Sequence, residues 1–250
     1  MAQYWLEITS DYDPSVWTAL LGSAGSPGRE LSVVDDSGTP ALRWGTTGTG
    51  RVTYLPDFVE DSEDVEIFIR TRASGAGTNF ALGVGARLSR TQIDGFFAGF
   101  RIGGRLISAQ RIDDSLTTLD TSGFGTGVSD YTAYHWMGVS AQGSSLEFSS
   151  WDGEASDRIA TPLFSTTSTN LSGARPVGLI NSNPSYYGYL THIAVGTDGD
   201  PAPTGPVDVS AEPFLLRHNP CTNKVIPVLS SPTVTDIGAN CVRPRVTKGF

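Results

Sequence analysis

Cysteine is nearly absent: Cys221 and Cys241 are the only two in 250 residues. Two cysteines cannot form a disulfide scaffold, and both sit near the C-terminus. In a protein assembled in the cytoplasm they are expected to start as thiols. Charge is also sparse: Asp, Glu, Lys and Arg make up 17% of the chain, against about a quarter in soluble proteins. Basic residues are scattered, and the net charge is −9. This excludes nucleic acid as a partner and disfavours an anionic membrane surface. No apolar run reaches the roughly 18 residues of a membrane-spanning helix, so no membrane insertion is expected. The opening MAQYWLEITSDYDP lacks a basic stretch followed by an apolar one, so no secretory signal is expected either. No internal repeat is long enough for a solenoid or propeller.

Aromatics make up 10% of the chain, and there are 29 glycines. Many aromatics among many turn-formers predict short strands joined by loops. Period-2 alternation dominates. DVEIFIRTRA puts Val65, Ile67, Ile69 and Thr71 on one face and Glu66, Phe68, Arg70 and Arg72 on the other. ELSVVDDSG, GRVTYLPDF, FALGVGARLS, DGFFAGFRIGG, RLISAQRIDD, RPVGLINS and YGYLTHIAVGT read as further strands. YHWMGVSAQGSSLEFSSWDGE reads as a hairpin turning at Gln142–Ser144. The alternation predicts ten or more strands in two layers by Val195. One short helix is expected at DPSVWTALLG, capped by Asp13-Pro14 and ended by Gly22. Beyond that layer the composition shifts. GTDGDPAPTGPVDVSAEP reads as a linker, and short β-prone pieces follow it to Phe250. The predicted division is therefore a domain at 1–203 and an arm at 204–250.

LTHIAVGTDGDPAP and the hairpin HWMGVSAQGSSLEFSSWDGE resemble the concanavalin A-like (laminin G-like) jelly-roll family, in the form found in bacteriophage structural proteins. The resemblance covers about residues 1–203. LSSPTVTDIGANCVRPRV resembles the opening strands of the fibronectin-like modules of phage tail and fibre proteins. It implies an all-β fold: a concanavalin A-like jelly-roll sandwich with an extended C-terminal β-prone arm. It also implies a virion structural protein of the tail tip, baseplate or fibre, assembled in the host cytoplasm. Its partners would be other virion proteins, copies of itself and host-surface polysaccharide. A capsid decoration protein and a glycan-degrading enzyme on the same fold are the alternatives.

Glycan-cleaving relatives of this sandwich carry an E-x-D-x-E strand, and EDSEDVE does not reproduce it. That stretch reads as a solvated loop entering a strand, so the chain is not expected to be an enzyme. No G-x-S-x-G elbow is present. His135 and His192 fall within strands, and His218 with the two cysteines gives too few ligands for zinc. No cofactor is expected. Asp11, Asp13, Asp152, Glu154, Asp157, Asp198 and Asp200 could offer calcium oxygen ligands, but ordinary turn chemistry accounts for their spacing. Trp44 and Trp136 read as core residues. Tyr186 and Tyr187 in the linker NSNPSYYG are the candidate glycan-binding aromatics. Val234, Ile237, Val242 and Val246 mark β-prone positions of the arm. Too few strands accompany them to bury these side chains, so they are expected to pair with a neighbouring subunit.

Overall fold

The computed structural model describes residues 2–21, 29–46, 51–75, 82–91, 94–100, 108–113, 115–120, 131–169, 171–181, 185–207, 214–219 and 224–229. The strands are β1 (Ala2–Glu7), β2 (Trp17–Leu21), β3 (Arg29–Asp36), β4 (Thr39–Thr46), β5 (Val52–Pro56), β6 (Val65–Ala73) and β7 (Leu82–Ala86). They continue as β8 (Asp94–Phe100), β9 (Ser108–Asp113), β10 (Ser115–Asp120), β11 (His135–Gln142), β12 (Ser145–Trp151) and β13 (Phe164–Thr167). The last are β14 (Gly178–Asn181), β15 (Gly188–Thr197), β16 (Phe214–Asn219) and β17 (Lys224–Leu229).

Two antiparallel sheets form the sandwich. Sheet A runs β13-β12-β11-β6-β15-β4-β3, with β1 also paired to β15. Sheet B runs β10-β9-β8-β7-β14-β5-β2. The two-layer all-β fold expected from the alternation is what the chain forms. On β6, Val65, Ile67, Ile69, Thr71 and Ala73 of one face are buried; on the other, Arg70 and Arg72 are partly exposed while Glu66 and Phe68 are buried as well.

Large side chains fill the space between the layers. Trp44, Tyr54, Phe96, Phe100 and Phe148 are essentially inaccessible. Burying one such side chain is worth about 1.5–3 kcal/mol. Polar tips inside the layers find partners across them. Trp44 Nε1 of sheet A donates to the Ile180 carbonyl of sheet B. The Tyr54 hydroxyl of sheet B donates to the Gly45 carbonyl, and accepts from the Glu30 N–H, both on sheet A. These bonds fix how the sheets sit on each other, because an unpaired polar tip there would be costly.

The expected helix is cut short. Asp13 does cap a turn, accepting a hydrogen bond from the Ser15 N–H, but only Pro14–Val16 is helical, as a 3-10 turn. Trp17–Leu21 then enters sheet B beside β5. Pairing with β5 prevails there over the local capping signal. Gly22, the expected helix end, lies outside the described residues.

The chain divides into two compact units, Met1–Val207 and Asp208–Phe250; the sequence puts the divide at 203/204. In the second unit, β16 and β17 form an antiparallel hairpin registered from Phe214↔Leu229 to Asn219↔Lys224. His218 lies on its first strand. Val234, Ile237, Val242 and Val246, with Cys221 and Cys241, lie outside the described residues.

A chain truncated to residues 1–207 is expected to be soluble and to melt cooperatively, since the core is complete within that unit. Circular dichroism on heating checks this. An insoluble or non-cooperative product would contradict it.

Candidate functional site

The outward face of sheet A is the candidate. On an ordinary sandwich the outward face is polar. Here it carries rows of aromatic and cationic side chains. Directly opposed residues cross the sheet at about 4.8 Å per strand, with successive outward rows about 6.7 Å apart. In one row Trp151 opposes Trp136, Trp136 opposes Arg70, Arg70 opposes His192 and His192 opposes Glu7. In the next, Arg72 opposes Tyr189, Tyr189 opposes Arg43 and Arg43 opposes Ser32. On the other side of the first row, Phe68 opposes Gly138 and Ala194, and Ala194 opposes Trp5.

One half of this face is covered. Phe68, Trp136, Trp151, Ala155, Ala194 and Ala202 form a buried apolar cluster, with half-buried Trp5 packed against it. Trp136 and Trp151 stack with centroids 5.8 Å apart and planes at 8°. The cover comes from Ala155–Asp157, a 3-10 turn held by a reciprocal Glu154–Asp157 capping box, and from Ala202. Glu66 ties both to the sheet. Its carboxylate takes two 2.8 Å hydrogen bonds from Arg158 and one of 2.9 Å from the Ala202 N–H. The Arg158 guanidinium also lies 4.2 Å from the centre of the Phe68 ring. Burial alone would raise the Glu66 carboxyl, but the bonds from Arg158 and Ala202 outweigh it and hold the group below its ordinary 4.5.

The other half is open enough for contact. Arg70, Arg72, Tyr134, Tyr189, Arg43, Tyr187 and His192 are all half-buried. Arg72 is fixed by two bonds to Asp36, one of 2.6 Å, and its guanidinium lies 4.1 Å from the centre of Tyr189. The Tyr134 hydroxyl donates to the same Asp36. These bonds, Arg72's first, hold the Asp36 carboxyl below its usual range. Arg70 lies 5.8 Å from the Tyr134 ring centre, and Arg43 lies 5.0 Å from that of Tyr187. Trp5 leans on Trp136 and His192, with centroids 5.8 and 5.5 Å away. Burial, with the charge of Arg70, lowers the His192 imidazole against the opposing pull of Glu7. His192 lies within β15, the strand position read from the sequence, and its Nδ1 is 3.0 Å from the Thr191 hydroxyl.

The tyrosines singled out from the sequence are folded down onto glycines. The Tyr186 ring occupies the place a Cβ on Gly75 would take, and the Tyr187 ring does the same at Gly45. The Tyr187 N–H donates to Ser74 Oγ, and the Ser74 N–H donates to the Tyr187 carbonyl. The nearby charge of Glu30, which also hydrogen-bonds the hydroxyl, raises the Tyr187 phenol. Tyr187 thus belongs to the margin of the outward face, beside Arg43. Tyr186 is tied elsewhere, its carbonyl accepting from Asn181 of sheet B.

Arg43, Arg70, Tyr134 and Tyr189 do not emerge from the sequence as site residues, and Trp5 emerges only as one of five tryptophans available to a sugar. Part of the signal is present, since the non-core face of DVEIFIRTRA already holds Arg70 and Arg72. A register shift between Leu190 and His192 hides the rest, because it returns His192 to the outward face that Tyr189 occupies. Trp136 is buried as expected, yet on the outward face and not between the sheets.

The acidic stretch before β6 has structural partners. Asp61 pairs with Arg90, Glu63 accepts from the Gly173 N–H, and Asp64 accepts from the Gly143 N–H. Ser62 bridges to Arg175, and regular strand begins only at Val65. This agrees with the loop read from the sequence. Among the loop acids weighed for calcium, Asp11 accepts from the Thr9 hydroxyl and Asp13 and Asp157 cap turns. No group of three or more potential metal ligands occurs among the described residues.

No protein-family model matches the sequence, and no curated protein does. Solved structures of similar chain course include the carbohydrate-binding module CBM66 from Bacillus subtilis. It is 11% identical over 71% of this chain and 94% of that one, with a TM-score of 0.47. A glycoside hydrolase family 16 endo-glucanase from Bacteroides ovatus is 10% identical over 77% and 99%, with a TM-score of 0.48. A Bacillus subtilis protein of unknown function with a galectin-like fold is 9% identical over 78% and 94%, also at 0.48.

Glu66→Gln is expected to destabilise the sandwich by about 2–3 kcal/mol, because it leaves Arg158 half-buried without its charge partner. The sign with pH follows from the lowered carboxyl. Its contribution is present above the ordinary 4.5 and is lost as pH falls through the folded-state value. Chemical denaturation at pH 7 and at pH 3 should therefore show the wild-type advantage shrinking on acidification. An advantage that is constant with pH would contradict this.

Proposed function

We propose that this chain is a virion structural protein of a phage tail tip, baseplate or fibre, whose sandwich binds host-surface glycans. The observation that carries the binding reading is the open half of the outward face of sheet A. Aromatic rings there lie beside hydrogen-bonding side chains fixed by the sheet, the combination that sugar recognition needs. Sugar C–H faces pack on rings, while hydroxyls take directional bonds from groups held in place. The virion setting is supported by the resemblance of LTHIAVGTDGDPAP and LSSPTVTDIGANCVRPRV to phage structural modules. It is supported also by the β16–β17 hairpin. A two-stranded hairpin is marginal in water and offers unpaired edges that another chain can extend.

Binding without hydrolysis is the form of the proposal. Cleavage by this class of fold uses a pair of carboxylates free to act as acid and as base or nucleophile. Glu66, one of the carboxylates on the face, is taken up by Arg158 and Ala202. Asp36 is taken up by Arg72 and Tyr134.

An array of bacterial envelope oligosaccharides probed with the full chain tests the proposal. Binding is expected to at least one glycan, about tenfold weaker in Trp5→Ala, with no reducing sugar released. No binding to any glycan, or release of reducing sugar, would overturn it. For the virion setting, deletion of residues 231–250 is expected to leave a folded sandwich that fails to enter particles. Normal incorporation of the truncated chain would count against an assembly arm.

A further inference from the structure

The charge pattern of the open face narrows the ligand. Acidic residues outnumber basic ones in this chain, 26 to 17. Carboxylate partners are therefore plentiful, and four arginines of the sandwich have found one. Arg72 pairs with Asp36, Arg90 with Asp61, Arg158 with Glu66 and Arg175 with Asp94. The buried Arg87 donates to the backbone carbonyls of Glu63 and Gly143. Arg70 and Arg43 differ. Each lies against a tyrosine ring, and neither guanidinium makes a hydrogen bond or ion pair among the described residues. In both, Nε is buried and without a partner. The indole Nε1–H of Trp136, directly opposite Arg70 on β11, is likewise buried and unpartnered. That side chain is only 2% exposed. Such groups are rare in folded proteins, and each asks for an explanation.

Other charges facing these two arginines are few. Arg72 is neutralised by Asp36. Glu30 bonds the Tyr187 hydroxyl, and Glu7 opposes His192 across β1 and β15. Arg70 and Arg43 sit two strands and one row apart, about 12 Å between backbone positions. Tyr189 lies between the two strands that carry them, opposite Arg43 in register. A guanidinium without a carboxylate partner is the residue type suited to bidentate recognition of a carboxylate or sulfate, and a ring beneath it holds its plane in place.

Resting on the glycan-binding reading above, we infer that this face takes an acidic saccharide. Its carboxylates or sulfates are held by Arg70 and Arg43, and its sugar rings pack on Trp5 and Tyr189. The separation of the two arginines suits an oligosaccharide that carries charge on more than one sugar.

The test is titration calorimetry of the full chain with three sets of probes. These are oligosaccharides rich in uronate or sialate, the same compounds methyl-esterified at the carboxyls, and sulfated oligosaccharides. Wild type is expected to bind carboxylate or sulfate forms at least tenfold more tightly than the esters, and binding is expected to weaken with added salt. Arg70→Gln and Arg43→Gln are each expected to lose about tenfold for the acidic forms, with melting temperature unchanged. Arg70→Lys should recover only part of that loss, because an ammonium keeps the charge and loses the fork. Whether carboxylates, sulfates or both respond identifies the group recognised. Equal binding of acid and ester forms, lost in Trp5→Ala but untouched by both arginine variants, would overturn the acidic specificity and leave glycan binding standing. Absence of binding by every probe, together with a silent glycan array, would remove both.

Discussion

Everything on the candidate face hangs on the pairing of β6 with β15. The two strands run antiparallel from Val65↔Thr197 to Ala73↔Gly188, at the centre of sheet A. On the inward side this pairing sets Val65, Ile67, Ile69, Ile193 and Val195 into the core. On the outward side it sets Phe68 beside Ala194, Arg70 beside His192 and Arg72 beside Tyr189. A one-residue slip would exchange the two faces, which the buried set does not permit. The apolar requirement of the core therefore fixes the geometry of the opposite surface. The paired segments are more than a hundred residues apart in sequence, so the face can form only when the sandwich does.

The outward face then divides into two parts with different physics. Near Glu66 it is closed by Ala155, Arg158 and Ala202. The Glu66 carboxylate accepts three hydrogen bonds there, which is what allows a charge to be buried. Near Arg70 it stays open, and its cations rest on tyrosine rings. The covered half supplies rigidity, since the Trp136–Trp151 stack props Trp5 from below. The open half supplies the chemistry. A binding surface built on paired strands holds its side chains more precisely than one built on loops.

Much of the fold is legible in the sequence because period-2 alternation is strong in β6, because β8 and β15 are rich in aromatic and β-branched residues between turn signals, and because the Gly143-Ser144 turn stands between two clear strands. The strands that escape such a reading, β1, β4, β10 and β13, are short or interrupted. AQYWLE has no clean alternation, and β4 begins with Thr39-Pro40. The helix expected after Asp13 is longer than the turn that forms, because a good N-cap says where a helix starts but not that it continues. The site is less legible. Loop position suggests Tyr186 and Tyr187, and only close approach to Gly75 and Gly45 shows that both rings lie flat. The face itself is assembled from β1, β4, β6, β11 and β15, and no local pattern reports which distant strands become neighbours.

The central claim is that the open outward face of sheet A is where a saccharide contacts this protein. The most direct measurement is two-dimensional NMR of the tryptophan indole N–H groups and arginine Nε–H groups while an acidic oligosaccharide is titrated in. The account predicts that Trp5, Trp136, Arg70 and Arg43 shift together and saturate at one dissociation constant. Shifts confined to Trp17 and Trp44, which lie in sheet B and between the sheets, or an unchanged spectrum on a saccharide shown to bind, would contradict it.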